Sequence, residues 1–97
     1  MSVLTVRGGV AAVRRVAVDG TGRRYTLPFT TLFLQVRNVG ANPLRVFVTA
    51  EDFAADVDFV SIAAGSAWEG PAELGDVWLK GDGGNTTAEV VAYQRRG

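Results

Sequence analysis

The chain has 97 residues, of which 47% are hydrophobic and 21% are charged, and its formal net charge at pH 7 is zero. This length fits one domain, and the composition is that of a folded globular protein rather than a disordered one. The sequence has no cysteine and no histidine, which excludes disulfides, thiolate metal sites, cysteine nucleophiles and histidine general bases. We therefore expect a protein without enzymatic activity, cofactor or metal, which acts by binding or assembly.

The zero net charge conceals two halves of opposite sign. Residues 1–50 carry seven arginines and one acid, whereas residues 51–97 carry nine acids, one lysine and two arginines, so the formal charges are +6 and −6. One interpretation is that the halves interleave in a single sandwich and neutralise each other locally. The other is that a basic patch on one copy meets an acidic patch on the next, which would fix the register of an assembly.

Fifteen valines and many short apolar runs predict an all-β domain. We expect one antiparallel sandwich or jelly-roll-like barrel over residues 1–97, with about eight short strands and with residues 1–29 as an N-terminal arm or hairpin. In chain order the predicted strands are residues 3–7, 10–18, 23–26, 32–39, 44–49, 59–62, 76–80 and 86–94, with a further short strand or arm near residues 67–74. Residues 51–56 predict one helical turn.

Turn residues separate these strands. Asp19-Gly20 predicts a tight reversal between the second and third strands, and Gly81–Asn85 predicts a hairpin turn before the last strand. Gly40, Asn42 and Pro43 lie between two stretches of alternating residues and predict a hairpin over residues 32–49.

This hairpin provides the candidate interface. If Arg37 lies opposite Arg45, then Gln35 opposes Phe47, and one sheet face carries both aromatic and basic side chains, as interface cores do. Two arginines facing each other need an acid between them, either from the acidic half of the same chain or from a neighbouring subunit. The candidate partner interface is Phe33, Gln35, Arg37, Arg45 and Phe47.

Other features favour structural roles. The acids Glu51, Asp52, Asp56 and Asp58 lack calcium-loop spacing and predict a solvated loop or helix start. The aromatic residues Trp68, Trp78, Tyr25 and Tyr93 are typical of a core, with a sugar-binding platform as the alternative. The pairs Arg14-Arg15, Arg23-Arg24 and Arg95-Arg96 do not predict nucleic-acid binding in a neutral chain. No apolar stretch predicts a secretion signal or a membrane span.

Three stretches carry a resemblance to a known family. The runs LFLQVRNVGANPLRVFVTAEDF, IAAGSAWEGPAEL and VWLKGDGGNTTAEVVAYQRRG cover roughly residues 30–97. Their N-x-G-x-N-P turn, glycine-rich corner, tryptophan-bearing strand and final strand with a basic tail resemble small virion proteins of tailed bacteriophages. The resemblance is to the capsid decoration, or cement, proteins in particular.

The resemblance implies a jelly-roll-like or immunoglobulin-like sandwich, often trimeric, that binds the outside of an assembled shell and clamps adjacent capsomers. It implies no catalytic residue. The expected partners are the major capsid protein or another virion protein and further copies of the chain, and the expected location is the capsid surface after synthesis in the host cytoplasm. A tail or baseplate adaptor and a carbohydrate-binding module are the alternatives.

Overall fold

A computed structural model describes the backbone of residues 2–6 and 9–95 and the side chains of residues 11–94. It contains nine strands and one short helix. In chain order these are β1 (Ser2–Val6), β2 (Gly9–Val18), β3 (Arg23–Thr26), β4 (Phe33–Asn38), β5 (Leu44–Phe47), α1 (Ala50–Ala55), β6 (Val60–Ile62), β7 (Ala67–Pro71), β8 (Asp76–Gly81) and β9 (Thr86–Arg95).

The strands form two antiparallel sheets that pack as a sandwich, which confirms the predicted fold class. The first sheet has the order β1-β2-β9-β4-β7, and the second sheet has the order β3-β8-β5-β6. The strand near residues 67–74 exists as β7, which includes Gly70 and ends at Pro71. Within the described residues, no helix has the length and apolar character needed to span a membrane.

The core lies between the two sheets and follows the alternation of each strand. On β4, Leu34 and Val36 are fully buried, while Phe33 and Gln35, which alternate with them, are only partly buried. On β8, Val77 and Leu79 alternate in the same way. The first sheet also contributes small residues, Ala88 and Ala92 on β9, which let the sheets approach closely.

Most connections cross from one sheet to the other, and this corrects three hairpin predictions. β2 and β9 belong to the first sheet whereas β3 and β8 belong to the second, so neither Asp19-Gly20 nor Gly81–Asn85 joins paired strands. The predicted hairpin over residues 32–49 is wrong for the same reason: β4 pairs with β7 and β9, and β5 pairs with β6 and β8. The turn residues reverse the chain as predicted, but they lead it into the opposite sheet.

The crossing segments are packed against each other at one end of the sandwich. The Asp19 carboxylate accepts hydrogen bonds from the backbone N–H groups of Thr21 and Gly22, and the Asp19 carbonyl accepts one from Gly81 at 2.8 Å. A Cβ at Gly81 would collide with the backbone of Gly84. Gly81 therefore allows a tight turn within its own crossing, and its N–H joins that crossing to the one that contains Asp19.

Asn38, at the end of β4, connects three of these crossings. Its side chain is fully buried, and its amide donates to the carbonyls of Asn42 at 2.7 Å and Ile62 at 2.9 Å. Its carbonyl oxygen accepts from the Thr86 hydroxyl at 2.6 Å and from the Gly40 N–H at 3.1 Å. One side chain thus satisfies polar groups at the ends of both sheets.

Thr31 has the equivalent role at the other end of β4. It is fully buried, and its hydroxyl donates to the Ala72 carbonyl at 2.6 Å and accepts from the Leu74 N–H at 3.3 Å. These bonds join the segment before β4 to the segment that leaves β7. Strand β4 is consequently held by a buried polar residue at each end.

The predicted helical turn is confirmed as α1. Thr49 is its N-cap, and the hydroxyl accepts from the Asp52 N–H at 3.1 Å. Asp56 is the C-cap in the left-handed conformation, with φ of 56°, which aspartate tolerates better than most residues. The helix covers part of the outer face of the second sheet.

We predict that Asn38→Ala lowers the free energy of unfolding by about 2–4 kcal/mol, because it leaves two carbonyls, one hydroxyl and one N–H without partners in a buried site. Urea unfolding followed by circular dichroism measures this loss. Asn85→Ala is the control, since the Asn85 side chain is exposed and should change stability by less than about 0.5 kcal/mol. Equal midpoints for the two variants would contradict the role given to Asn38.

Candidate partner-binding surface

The outer face of the first sheet is an uncovered surface with mixed apolar and charged side chains. The register of β2, β9 and β4 places their outward-facing residues side by side on this face, because the alternate residues of each strand point into the core. We call this surface the open face and define it as Val13, Arg15, Phe33, Gln35, Arg37, Glu89, Val91 and Tyr93.

An aromatic pair marks the apolar part of the open face. Phe33 and Tyr93 lie opposite each other on β4 and β9, and their rings meet edge to face with centroids 5.7 Å apart. Beside them Val91 lies between Val13 and Gln35 and is only 9% exposed, although no element of the described chain covers it. The neighbouring side chains shield it, so the face is already closely packed before any partner arrives.

A charged row lies on the far side of Val91 from the aromatic pair. Glu89 is opposite Arg15 on one side and opposite Arg37 on the other. The Arg15 Nε lies 3.4 Å from Glu89 Oε2, while no carboxylate among the described side chains lies within ion-pair distance of Arg37. Arg37 is exposed and presents a positive charge to solvent on the same face as the aromatic rings.

The five predicted interface residues do not share one face. Phe33, Gln35 and Arg37 lie together on the open face, but Arg45 and Phe47 lie on the outer face of the second sheet, because β5 is in that sheet. The pairings expected from the hairpin are therefore wrong. Arg37 lies opposite Glu89 and Ala67, and Arg45 lies opposite Lys80 and Ser61.

Phe47 is occupied within the fold. It is fully buried, with the rings of Phe53 from α1 and Phe59 each 5.3 Å away between centroids. This small aromatic cluster holds the helix against the second sheet. A partner protein cannot reach Phe47 while α1 is in place.

Arg45 is also engaged by its own chain. It donates from Nη1 to Asp56 at 2.7 Å, its Nη2 lies 3.3 Å from Asp82, and its guanidinium lies 4.5 Å from the centroid of the Phe59 ring. Lys80 adds a second cation 3.6 Å from Asp56. The acid expected near this arginine thus comes from the acidic half of the same chain.

These contacts lower the pKa of Asp56. The hydrogen bond from Arg45 lowers the pKa of Asp56 below its usual value, burial opposes this shift, and the charges of Arg45 and Lys80 add to the lowering. The hydrogen bond to Asp56 raises the pKa of Arg45 in turn. The pair is therefore ionised over the whole neutral range.

The ion pairs also decide between the two interpretations of the charge halves. Arg15 with Glu89, Arg24 with Asp76, and Arg45 with Asp56 or Asp82 each join a basic residue of the first half to an acid of the second. The halves interleave, because β2, β3 and β5 each pair with a strand from the acidic half. Three of the seven arginines of the first half are thus neutralised within one copy.

The aromatic residues considered for a sugar platform do not gather at one place. Trp68 and Tyr25 pack against the core. Trp78 lies on the outer face of the second sheet, with the Arg24 guanidinium 5.9 Å from its ring centroid, and Tyr93 lies on the open face of the first sheet. No single surface of the described chain presents all four side chains.

The remaining candidates are structural. Glu51 and Asp52 lie in the first turn of α1, and no group of three or more metal-binding side chains occurs among the described residues. Arg24 donates to both oxygens of Asp76 at 3.1 and 3.0 Å, which also lowers the pKa of Asp76. The Arg95-Arg96 pair lies outside the described side chains.

Val13, Val91 and Tyr93 were missed from the predicted surface. The signal for two of them is present in β9, where Glu89, Val91 and Tyr93 alternate with residues that include two alanines. Small residues on one face of a long strand indicate close packing on that side, so the larger ones must face outward. Their position beside Phe33 depends on the pairing of β9 with β4, which the sequence pattern does not specify.

No protein-family model matches the sequence, and no curated protein matches it. Several solved structures share the fold. PliG from Aeromonas hydrophila, a periplasmic inhibitor of g-type lysozyme, superposes with a TM-score of 0.55 at 15% identity, covering 94% of this chain and 92% of that one. Protein NMB1881 from Neisseria meningitidis gives 0.51 at 11%, covering 96% and 82%. PirA gives 0.50 at 8%, covering 84% and 93%. At these identities the likeness shows the fold alone.

We predict that Asp56→Asn lowers the melting temperature at neutral pH and that its difference from the unmodified protein shrinks in acid. The folded pKa of Asp56 lies below the unfolded one, so its ion pairs contribute fully above the unfolded pKa of about 3.9 and are lost as the pH falls through the folded pKa. Thermal melts from neutral pH to below that value measure the difference.

Asp58→Asn is the matched control for this measurement, since Asp58 also has a positive φ, which asparagine tolerates, and it is exposed. It should melt close to the unmodified protein. If the Asp56→Asn deficit is the same at every pH, the ion pairs are not its cause.

Proposed function

We propose that the chain is a structural protein of a tailed bacteriophage particle that binds the outer surface of the capsid and bridges neighbouring capsomers. It is made in the host cytoplasm and resides on the virion. The proposed role needs no catalytic residue, cofactor or metal, in keeping with a sequence that contains neither histidine nor cysteine. The resemblance of residues 30–97 to decoration proteins supports this assignment.

The observation that carries the proposal is the open face. An exposed arginine and an edge-to-face aromatic pair lie on the same sheet face, separated by the row that contains Val91, and this is the composition of protein interface centres, where tyrosine, phenylalanine and arginine are enriched. The surrounding strands hold these side chains in place, so little conformational entropy remains to be lost on binding. Phe33, Gln35, Arg37 and Tyr93 form the proposed contact with the shell.

The charges on the outer side of the first sheet are mixed, since exposed Glu69 on β7 lies opposite Gln35. Arg15 and Glu89 neutralise each other, whereas Arg37 retains its charge for a carboxylate of the partner. Arginine is suited to this role because its planar fork can form two parallel hydrogen bonds with a carboxylate. An acidic patch on the outside of the major capsid protein is the expected complement.

We predict that the purified chain cosediments with empty shells assembled from the major capsid protein of the same genome, and that binding saturates at a fixed ratio to capsomers. Phe33→Glu should weaken this binding by about 30-fold or more, as the loss of a central anchor does. Density-gradient sedimentation over a range of protein concentrations gives both values.

Val57→Glu is the matched control, because Val57 is an exposed apolar residue, 45% accessible, that lies outside the open face. It should bind shells like the unmodified chain, and both variants should remain folded at the temperature of the assay. A chain that ignores shells, or a Phe33→Glu variant that binds them unchanged, contradicts the proposal. Parallel assays with a glycan array and a g-type lysozyme show which other class of partner applies in that case.

A further inference from the structure

The two sheets end in four edge strands, and these edges differ in how well they are protected. β1 and β7 are the edges of the first sheet, and β3 and β6 are the edges of the second. An edge strand presents a row of unpaired backbone N–H and C=O groups that can pair with another chain. Proteins commonly block such edges with charges, proline or very short strands.

Three of the four edges carry one of these protections. β7 contains Glu69 and ends in Pro71, which has no N–H to donate. β6 is only three residues long. β3 carries two exposed arginines, Arg23 and Arg24, whose charges oppose the approach of another basic edge.

β1 carries none of them. Its five residues have the sequence SVLTV, without charge, proline or glycine, and valine and threonine favour extended backbone. Among the described residues its only ladder is the one with β2, in which Ser2 lies opposite Val13 and Val6 opposite Gly9. Every second residue of β1 therefore directs its backbone groups away from the sheet.

We propose that β1 is the edge through which two copies of the chain pair, antiparallel about a two-fold axis, so that their first sheets join into one continuous sheet. Such pairing places Leu4 opposite Leu4 and Val3 opposite Thr5, with no charged residue in the row. A segment that is uncharged throughout is compatible with its own copy in this way, because no side chain meets a like charge.

The two-fold arrangement also limits the size of the assembly. Each copy has one β1 edge, so pairing uses both edges and stops at a dimer, as isologous interfaces do. This differs from the trimer that the resemblance implies. It also leaves the open face free, because the contact is made through the edge of the sheet.

Analytical ultracentrifugation of the purified chain over a wide range of concentrations tests the proposal. The unmodified protein should show a reversible equilibrium between monomer and dimer. The double variant Val3→Lys with Thr5→Lys should weaken dimerisation by about tenfold or more, because each lysine then lies opposite a lysine of the other copy.

A charge swap provides the matched control. The double variant Val3→Lys with Thr5→Glu changes the same two positions but places each lysine opposite a glutamate, so it should retain the dimer. Ser61→Lys, on the β6 edge, should leave the equilibrium unchanged. Equal melting of the two double variants at low concentration separates a lost interface from a lost fold.

Three results would overturn the proposal. The first is an unmodified chain that stays monomeric or forms trimers. The second is a dimer that persists in the lysine pair, and the third is equal loss of the dimer in both double variants, which contradicts the symmetric register. The shell-binding assay remains independent, since a dimer that fails to bind shells refutes only the proposed function.

Discussion

The sandwich depends on the burial of one amide, that of Asn38. A connection that crosses between two sheets leaves its backbone polar groups at the end of the core, where water is excluded and ladder partners are absent. Asn38 supplies two donors and one acceptor there, and these reach residues before β5, at the end of β6 and at the start of β9. The crossings can lie close together because this side chain satisfies them from within.

The same crossings decide which residues a partner can reach. The alternation in residues 32–49 predicts one hairpin. Since β4 and β5 lie in different sheets, the outward residues of this stretch are divided between two opposite surfaces. Phe47 and Arg45 then serve to hold α1, through an aromatic cluster and an ion pair, while Phe33 and Arg37 remain outside. Phe33 therefore lies beside Tyr93, from the last strand, and not beside a residue of β5.

The positions of the strands and of the helix could be predicted from the sequence, because alternation and turn residues act locally. Leu34 and Val36 are buried, and α1 begins after Thr49, as those local rules require. Strand pairing could not be predicted. Asp19-Gly20 and the Gly40–Pro43 turn reverse the chain equally well in a hairpin and in a crossing, and the difference lies in distant contacts such as that of Gly81 with Asp19.

The candidate site was predictable to the same extent. Phe33, Gln35 and Arg37 share a face because alternation within one strand is local. Arg45 and Phe47 were assigned to that face through an assumed pairing, and Tyr93 was missed because its place beside Phe33 follows from the ladder between β9 and β4. Errors in the site therefore have the same origin as errors in the topology.

The position of β9 has a consequence for biosynthesis. This strand, Thr86–Arg95, is the last one of the described chain, yet it lies in the middle of the first sheet between β2 and β4. The ribosome must release β9 before β2 and β4 gain the partner that they share, although each has another neighbour, β1 or β7, that emerges earlier. The first sheet therefore cannot be completed until β9 has emerged. Before that, the facing edges of β2 and β4 are unpaired and are exposed to aggregation.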